Sequence, residues 1–150
     1  MHSGQPEPKP RRRAPVLNIL AACVAGCLVF FLSGCFLISG AVESTDSTPD
    51  GGNVYVGFVS AEGNDTRTVT TNFPNQTLEV TVFAQNQNGQ MRVEILDTQN
   101  SVSLVVDGQA EEQARVGTVQ TNAAGEFRYR VRTTGAQRGA FQILYQPTNG

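Results

Sequence analysis

Residues 126–133 read EFRYRVRT, and in them Phe127, Tyr129 and Val131 alternate with Arg128, Arg130 and Arg132. Successive side chains of an extended chain point to opposite sides, so this stretch predicts a strand with one apolar and one cationic face. The same period recurs on either side. TLEVTVFA sets Leu78, Val80, Val82 and Ala84 against Glu79, Thr81 and Phe83. MRVEILD sets Met91, Val93 and Ile95 against Arg92 and Glu94, and NVYVGFVS places Val54, Val56 and Phe58 on one side. AFQILYQ, from Phe141 through Ile143 to Tyr145, behaves alike. SVSLVVD and ARVGTVQT continue the series, the latter with Gly117 as an expected bulge. TRTVTTNF, beginning at Thr66, reads as a weaker strand at a sheet edge.

Turn formers separate these runs: NQNG, DTQN, DG and NAAG. The spacing predicts about eight short strands over residues 53–150, hence an all-β fold, an antiparallel β-sandwich of seven or eight strands. Antiparallel sheets bury one face and wet the other, as these patterns require.

Upstream the composition changes twice. Residues 1–13, MHSGQPEPKPRRR, hold three prolines and no periodicity and read as a disordered basic leader on the cytoplasmic side. Residues 14–42 carry no charge. Segment 14–40 reads as a signal peptide or transmembrane helix, since about 20 helical residues cross a bilayer core. Residues 41–52, around ESTDSTPDGG, read as a flexible tether.

Charge follows the same division. Residues 1–40 set Lys9, Arg11, Arg12 and Arg13 against Glu7 and total +3, whereas the remainder carries seven arginines and twelve carboxylates and totals −5. The arginines next to an uncharged run are held in the cytoplasm, so the C-terminal domain is expected outside, at the cell membrane. An acidic exported domain argues against nucleic acid as a partner.

All three cysteines, Cys23, Cys27 and Cys35, lie in or beside the apolar run, so no disulfide framework is expected. The stretch LSGC, Leu32 to Cys35, resembles the lipobox of bacterial lipoproteins, a resemblance that implies cleavage before Cys35 and acylation of that residue. The alternative is an uncleaved signal anchor from about Pro15 to Ile38, with Ala22 and Gly26 as a small-residue contact. Residues 125–145, GEFRYRVRTTGAQRGAFQILY, resemble the closing hairpin of bacterial pre-peptidase C-terminal domains, and MRVEILDTQNSV is similar to their central strand-turn unit. That resemblance implies a small β-sandwich in an accessory, non-catalytic role.

Catalytic candidates are few. The single histidine, His2, lies in the leader. Acid–base work would fall to carboxylate pairs, Glu79 with Glu94 or Glu111 with Glu112, and the first two are better read as partners of arginines. Zinc would need histidine or cysteine. Calcium would need more oxygens than Asp97 with Asn100, or Asp46 with Asp50, provide. No enzyme activity, metal, cofactor or small-molecule substrate is therefore expected. Sequons at Asn64 and Asn75 matter only in a glycosylating host.

Arg128, Arg130 and Arg132 remain, about 7 Å apart on one face. They read as a solvated strand face paired with Glu79, Glu94 or Glu126, or as an anion-binding stripe. The expectation is a membrane-anchored, non-catalytic domain at the cell envelope that binds or scaffolds. Its expected partners are the membrane itself and an envelope polysaccharide or envelope protein; the alternative is a structural spacer without a ligand.

Overall fold

This computed structural model describes residues 35–148. Among these described residues seven antiparallel strands form the fold: β1 (Leu37–Ser39), β2 (Val42–Thr48), β3 (Gly51–Thr70), β4 (Thr77–Leu96), β5 (Val102–Asp107), β6 (Gln113–Gln120) and β7 (Glu126–Pro147). Three of these are 20 to 22 residues long, roughly three times the common strand length.

Each long strand unites two segments that the sequence presents as separate. NVYVGFVS and TRTVTTNF are arms of β3, TLEVTVFA and MRVEILD are arms of β4, and EFRYRVRT and AFQILYQ are arms of β7. Residues 125–145 are therefore not a hairpin. In a hairpin the arms bond to each other, but both arms of β7 bond to β3 on one side and β4 on the other. NQNG likewise bends β4 without reversing it.

The bends align across the sheet. Register shifts fall between Ala61 and Gly63 in β3 and between Asn88 and Gln90 in β4. Gly63, Gly89 and Gly135 have φ of 102°, 73° and 56°. At Gly89 a Cβ would stand 2.1 Å from the carbonyl oxygen of Gly135, so two bent backbones meet where only hydrogen fits. Asn86 fastens this corner: its buried Nδ2 donates to the carbonyls of Asn88 at 2.8 Å and Gly89 at 3.1 Å.

Bending doubles the sheet over. Phe127 and Tyr145 belong to one strand and would lie about 60 Å apart if it were straight. Their ring centroids are 5.6 Å apart, edge to face, and those of Tyr129 and Phe141 are 5.7 Å apart. One half is ordered β2, β3, β7, β4, β6 and uses the arms before the bend of β3 and β4 and after it in β7; the other half is ordered β3, β7, β4, β5. Between them lies the core, including Val54, Val56, Phe58, Val80, Val82, Val93, Ile95, Phe127, Tyr129 and Ile143. Every inward residue assigned from the period-two pattern above is buried. TRTVTTNF does form an edge, since residues 63–70 pair with β7 alone.

Three further expectations change. Residues 42–48, read as tether, are strand β2, paired with β3 from Val42 opposite Gly57 to Thr48 opposite Gly51. Turn-forming residues at Pro49 and Asp50 make this a hairpin, and an all-exposed edge strand needs no apolar side chains. Leu37–Ser39, the tail of the apolar segment 14–40, is strand β1 paired with β3. Gly117 sits in regular register opposite Val80, and its missing side chain makes room for Leu104, whose Cδ1 a Cβ would meet at 3.2 Å. The leader and the apolar segment through residue 34 lie outside the described residues. Among the described residues no helix is long and apolar enough to cross a membrane.

Candidate functional site

The doubled sheet has two outward faces, and each collects a distinct chemistry. On the four-stranded half, β7 presents Arg128, Arg130 and Arg132. Across the strands the rows run Asn64, Arg132, Arg92, Asp107, then Thr66, Arg130, Glu94, Val105, then Thr68, Arg128, Leu96.

Glu94 is the centre of this face. Its side chain is only 8% exposed, and its Oε2 accepts from Arg130 Nε at 2.6 Å and lies 3.4 Å from Arg132 Nε. A carboxylate removed from water to that degree requires a cation within reach, and two are supplied. Arg128 instead donates to Asn100 Oδ1 at 2.6 Å. Arg92 grips Asp107 through two bonds, 2.6 and 3.1 Å. That hydrogen bond holds the Asp107 carboxyl below its ordinary value against the smaller opposing effect of burial.

Of the partners proposed for the arginines, Glu94 is thus the one that meets them. Glu79 lies on the opposite outward face and accepts from Gln146 Nε2 at 3.0 Å; Glu126 accepts from Asn122 Nδ2 at 3.0 Å. Glu79 and Glu94 share one strand, but the bend puts them on different halves, so they form no acid–base pair. Glu111 and Glu112 are exposed in the β5–β6 loop. Asp97 serves its own turn, accepting from Gln99 N and Ser101 N, both at 2.8 Å. Asp46 lies on β2 and Asp50 in the turn after it, Asn64 is exposed on β3, and Asn75 occupies a turn with φ of 52°. Among the described residues no three His, Cys, Asp or Glu side chains are grouped as a metal would need. Cys35 is an exposed free thiol at the start of the described chain.

The five-stranded half has an outward face of a different kind. One row runs Ser44, Tyr55, Gln142, Phe83, Ala114 and the next Asp46, Asn53, Leu144, Thr81, Val116. Tyr55 and Phe83 stand on strands two apart, hence about 9–10 Å between strand axes. Gly57 allows the Tyr55 ring to lie close over the strand, with the hydroxyl 3.0 Å from where a Cβ would be. Between the rings Gln142 Nε2 donates to Asn53 Oδ1 at 2.9 Å. That bond fixes both amides while leaving the Gln142 carbonyl oxygen and the Asn53 amide hydrogens available. Gln85 and Glu112 border the shallow hollow formed by Tyr55, Phe83, Ala140 and Gln142. In the sequence Phe83 is legible only as an outward residue. The signal for this face was Tyr55 and Phe83 both falling out of phase with the apolar period.

A third group closes the side of the molecule. Arg67 on β3 faces inward, with Nε donating to Asp65 Oδ2 and Nη1 to Glu43 Oε1, both at 2.7 Å. Burial alone would lower the pKa of Arg67, but the two carboxylates outweigh it and raise it. Glu43 lies on β2 and Arg67 on the second arm of β3, so the pair ties the two halves together beside Phe36 and Tyr129. Burial raises the pKa of the Tyr129 hydroxyl.

No family model and no curated protein sequence matches the chain. Among solved structures it is similar to a mannanase from Podospora anserina carrying GH26 and CBM35 modules, at 13% identity, over 78% of this chain and 28% of that one, with a TM-score of 0.44. The CBM22-1 xylan-binding domain of Xyn10C from Paenibacillus barcinonensis is 8% identical, with 77% and 86% covered and a TM-score of 0.40. A CBM4 module is 15% identical, with 74% and 80% covered and a TM-score of 0.36. At these scores the likenesses assign no family.

Proposed function

We propose that residues 35–150 form a non-catalytic binding domain displayed on the outer side of a membrane, with an envelope polysaccharide as its ligand. The anchor is read from the cationic leader, the uncharged run after it and LSGC at Leu32 to Cys35, with Cys35 the lipidated residue or the segment an uncleaved helix. The row Tyr55, Gln142, Phe83 carries the ligand assignment. Sugar rings present apolar C–H faces and a rim of hydroxyls. Exposed rings stack on the former, and oriented amides exchange hydrogen bonds with the latter. A sheet face with two aromatic rings flanking fixed amides meets both requirements without any reacting group.

Affinity electrophoresis of the full chain through gels containing xylan, mannan, dextran or alginate tests this reading. Retardation by at least one polysaccharide is expected, with Tyr55→Ala and Phe83→Ala each reducing it tenfold or more at unchanged melting temperature. Equal migration of wild type and both variants would overturn the assignment. The arginine face offers a narrower second reading as an anion site, because Arg128 bonds to a neutral amide and Arg132 is half exposed. Retardation by alginate alone, lost in Arg128→Gln with Arg132→Gln, would favour it. For the anchor, intact mass of the membrane-extracted protein should begin at Cys35 with acyl mass if lipidated, and Cys35→Ser should then accumulate unprocessed.

A further inference from the structure

Three of the most exposed large apolar side chains gather where the described chain begins: Leu37, Val42 and Val59, at 66, 64 and 60% exposure. Leu37 stands opposite Glu62 and Val42 opposite Gly57, so Val59 lies between them along β3. The Val59 side chain covers Gly40, whose Cβ would come within 2.5 Å of it. The acidic neighbours are turned elsewhere, Glu62 accepting from the Gly135 amide and Glu43 from Arg67. An apolar corner of this sort, stripped of free charge, ordinarily marks a contact surface.

The chain itself indicates the occupant. Residues 14–42 carry no charge, and this run leads straight into the corner. Phe36 and Ile38 already pack against the core, and the stretch expected as a tether is β2. The described fold therefore begins within the uncharged run itself, which extends to Val42. We infer that the corner formed by Leu37, Val42 and Val59 rests on the bilayer surface, so that the domain is held at a fixed orientation against the lipid. This rests on the membrane reading above. On either form of that reading, uncleaved anchor or acylated Cys35, the corner follows within a few residues in sequence, and side chains of this type partition into the bilayer interface.

The chain has no tryptophan, so a single introduced one reports its own surroundings. Val59→Trp and, at the far edge on β6, Val116→Trp are compared in the full chain reconstituted into phosphatidylcholine–phosphatidylglycerol vesicles. Val59→Trp should show blue-shifted emission, lost on substituting brominated acyl chains. Val116→Trp should emit as in water and be quenched by iodide. Val42→Trp replaces Val59→Trp should the latter fail to fold. Co-flotation with vesicles together with aqueous emission from the Val59 and Val42 probes would overturn the corner contact while leaving the anchor intact. Absence of co-flotation would overturn both. A blue shift indifferent to brominated lipid but dependent on protein concentration would mean a second copy occupies the corner, and would also overturn the proposal.

Discussion

The two arms of β7 are built alike on the inside and differently on the outside. Inward, Phe127, Tyr129 and Val131 answer Phe141, Ile143 and Tyr145, and the rings touch across the core. Outward, three arginines on the first arm face Glu94 and Asn100, whereas the second arm shows Gln142, Leu144 and Gln146 beside Tyr55 and Phe83. The inward sides are constrained by packing, which asks only for apolar volume. The outward sides are free to differ, and here one is charged and the other carries amides and aromatic rings.

The largest effect should come from charge placed on the shared inner side. Val80→Asp on one half and Phe127→Asp on the other should each cost several kcal/mol, because both positions are at most 1% exposed and a carboxylate there has no partner. Thr81→Asp, one residue from Val80 but outward, should change stability by less than about 1 kcal/mol. Urea denaturation of the three variants checks this, and equal losses at 80 and 81 would break the inside–outside assignment.

The bends should come next. Gly89→Ala combines a left-handed backbone with a collision against the Gly135 carbonyl and should cost more than ~2 kcal/mol, whereas Gly135→Ala, with nothing within 4 Å, should cost only the ~1 kcal/mol of backbone strain. A reversed order in thermal melts would mean the halves meet otherwise than described.

The outward faces should then separate. Glu94→Gln leaves Arg130, itself about three-quarters buried, without its carboxylate and should cost about 1–3 kcal/mol. Gln142→Ala on the opposite face should stay within about 0.5 kcal/mol of wild type and, on the function proposed above, weaken retention by polysaccharide. Smallest of all is the acid response of Asp107. Its pKa is lower folded than unfolded, so its contribution is complete above the ordinary carboxylate range and is lost as pH falls from that range down through the lowered folded value. Both side chains are half exposed, so solvent screening keeps the effect small. Melting temperatures from pH 7 to 3 should fall slightly less steeply in Asp107→Asn than in wild type.

Faces were legible in the sequence and connections were not. Period two placed Val80, Val93, Phe127 and Ile143 correctly because burial on a strand is decided residue by residue. Glycine with polar neighbours, as in NQNG or TTGAQRG, gives the same local signal whether the chain turns back on itself or bends and keeps its neighbours. That choice is made by β3 and β4, far away in sequence. β2 was missed because an edge strand can be wholly polar. Glu94 was found among the arginines' partners since it falls on the outward phase of its strand. The Tyr55–Phe83 row depended on register across β7, which no local pattern contains.

Three continuous strands crossing one line of bends also decide how the molecule bears damage. Two stacked sheets joined only by loops could slide or be pried apart once a loop is cut. Here a protease that cleaves after Arg138, exposed beside the β7 bend with φ of 47°, would sever a crossing without freeing either side. Both pieces of β7 would remain laddered to β3 and β4, which still pass uncut from one half to the other. Such a nicked chain should run as one species under native conditions and as two pieces only after denaturation, a form of resistance to wear that two loop-joined sheets would lack.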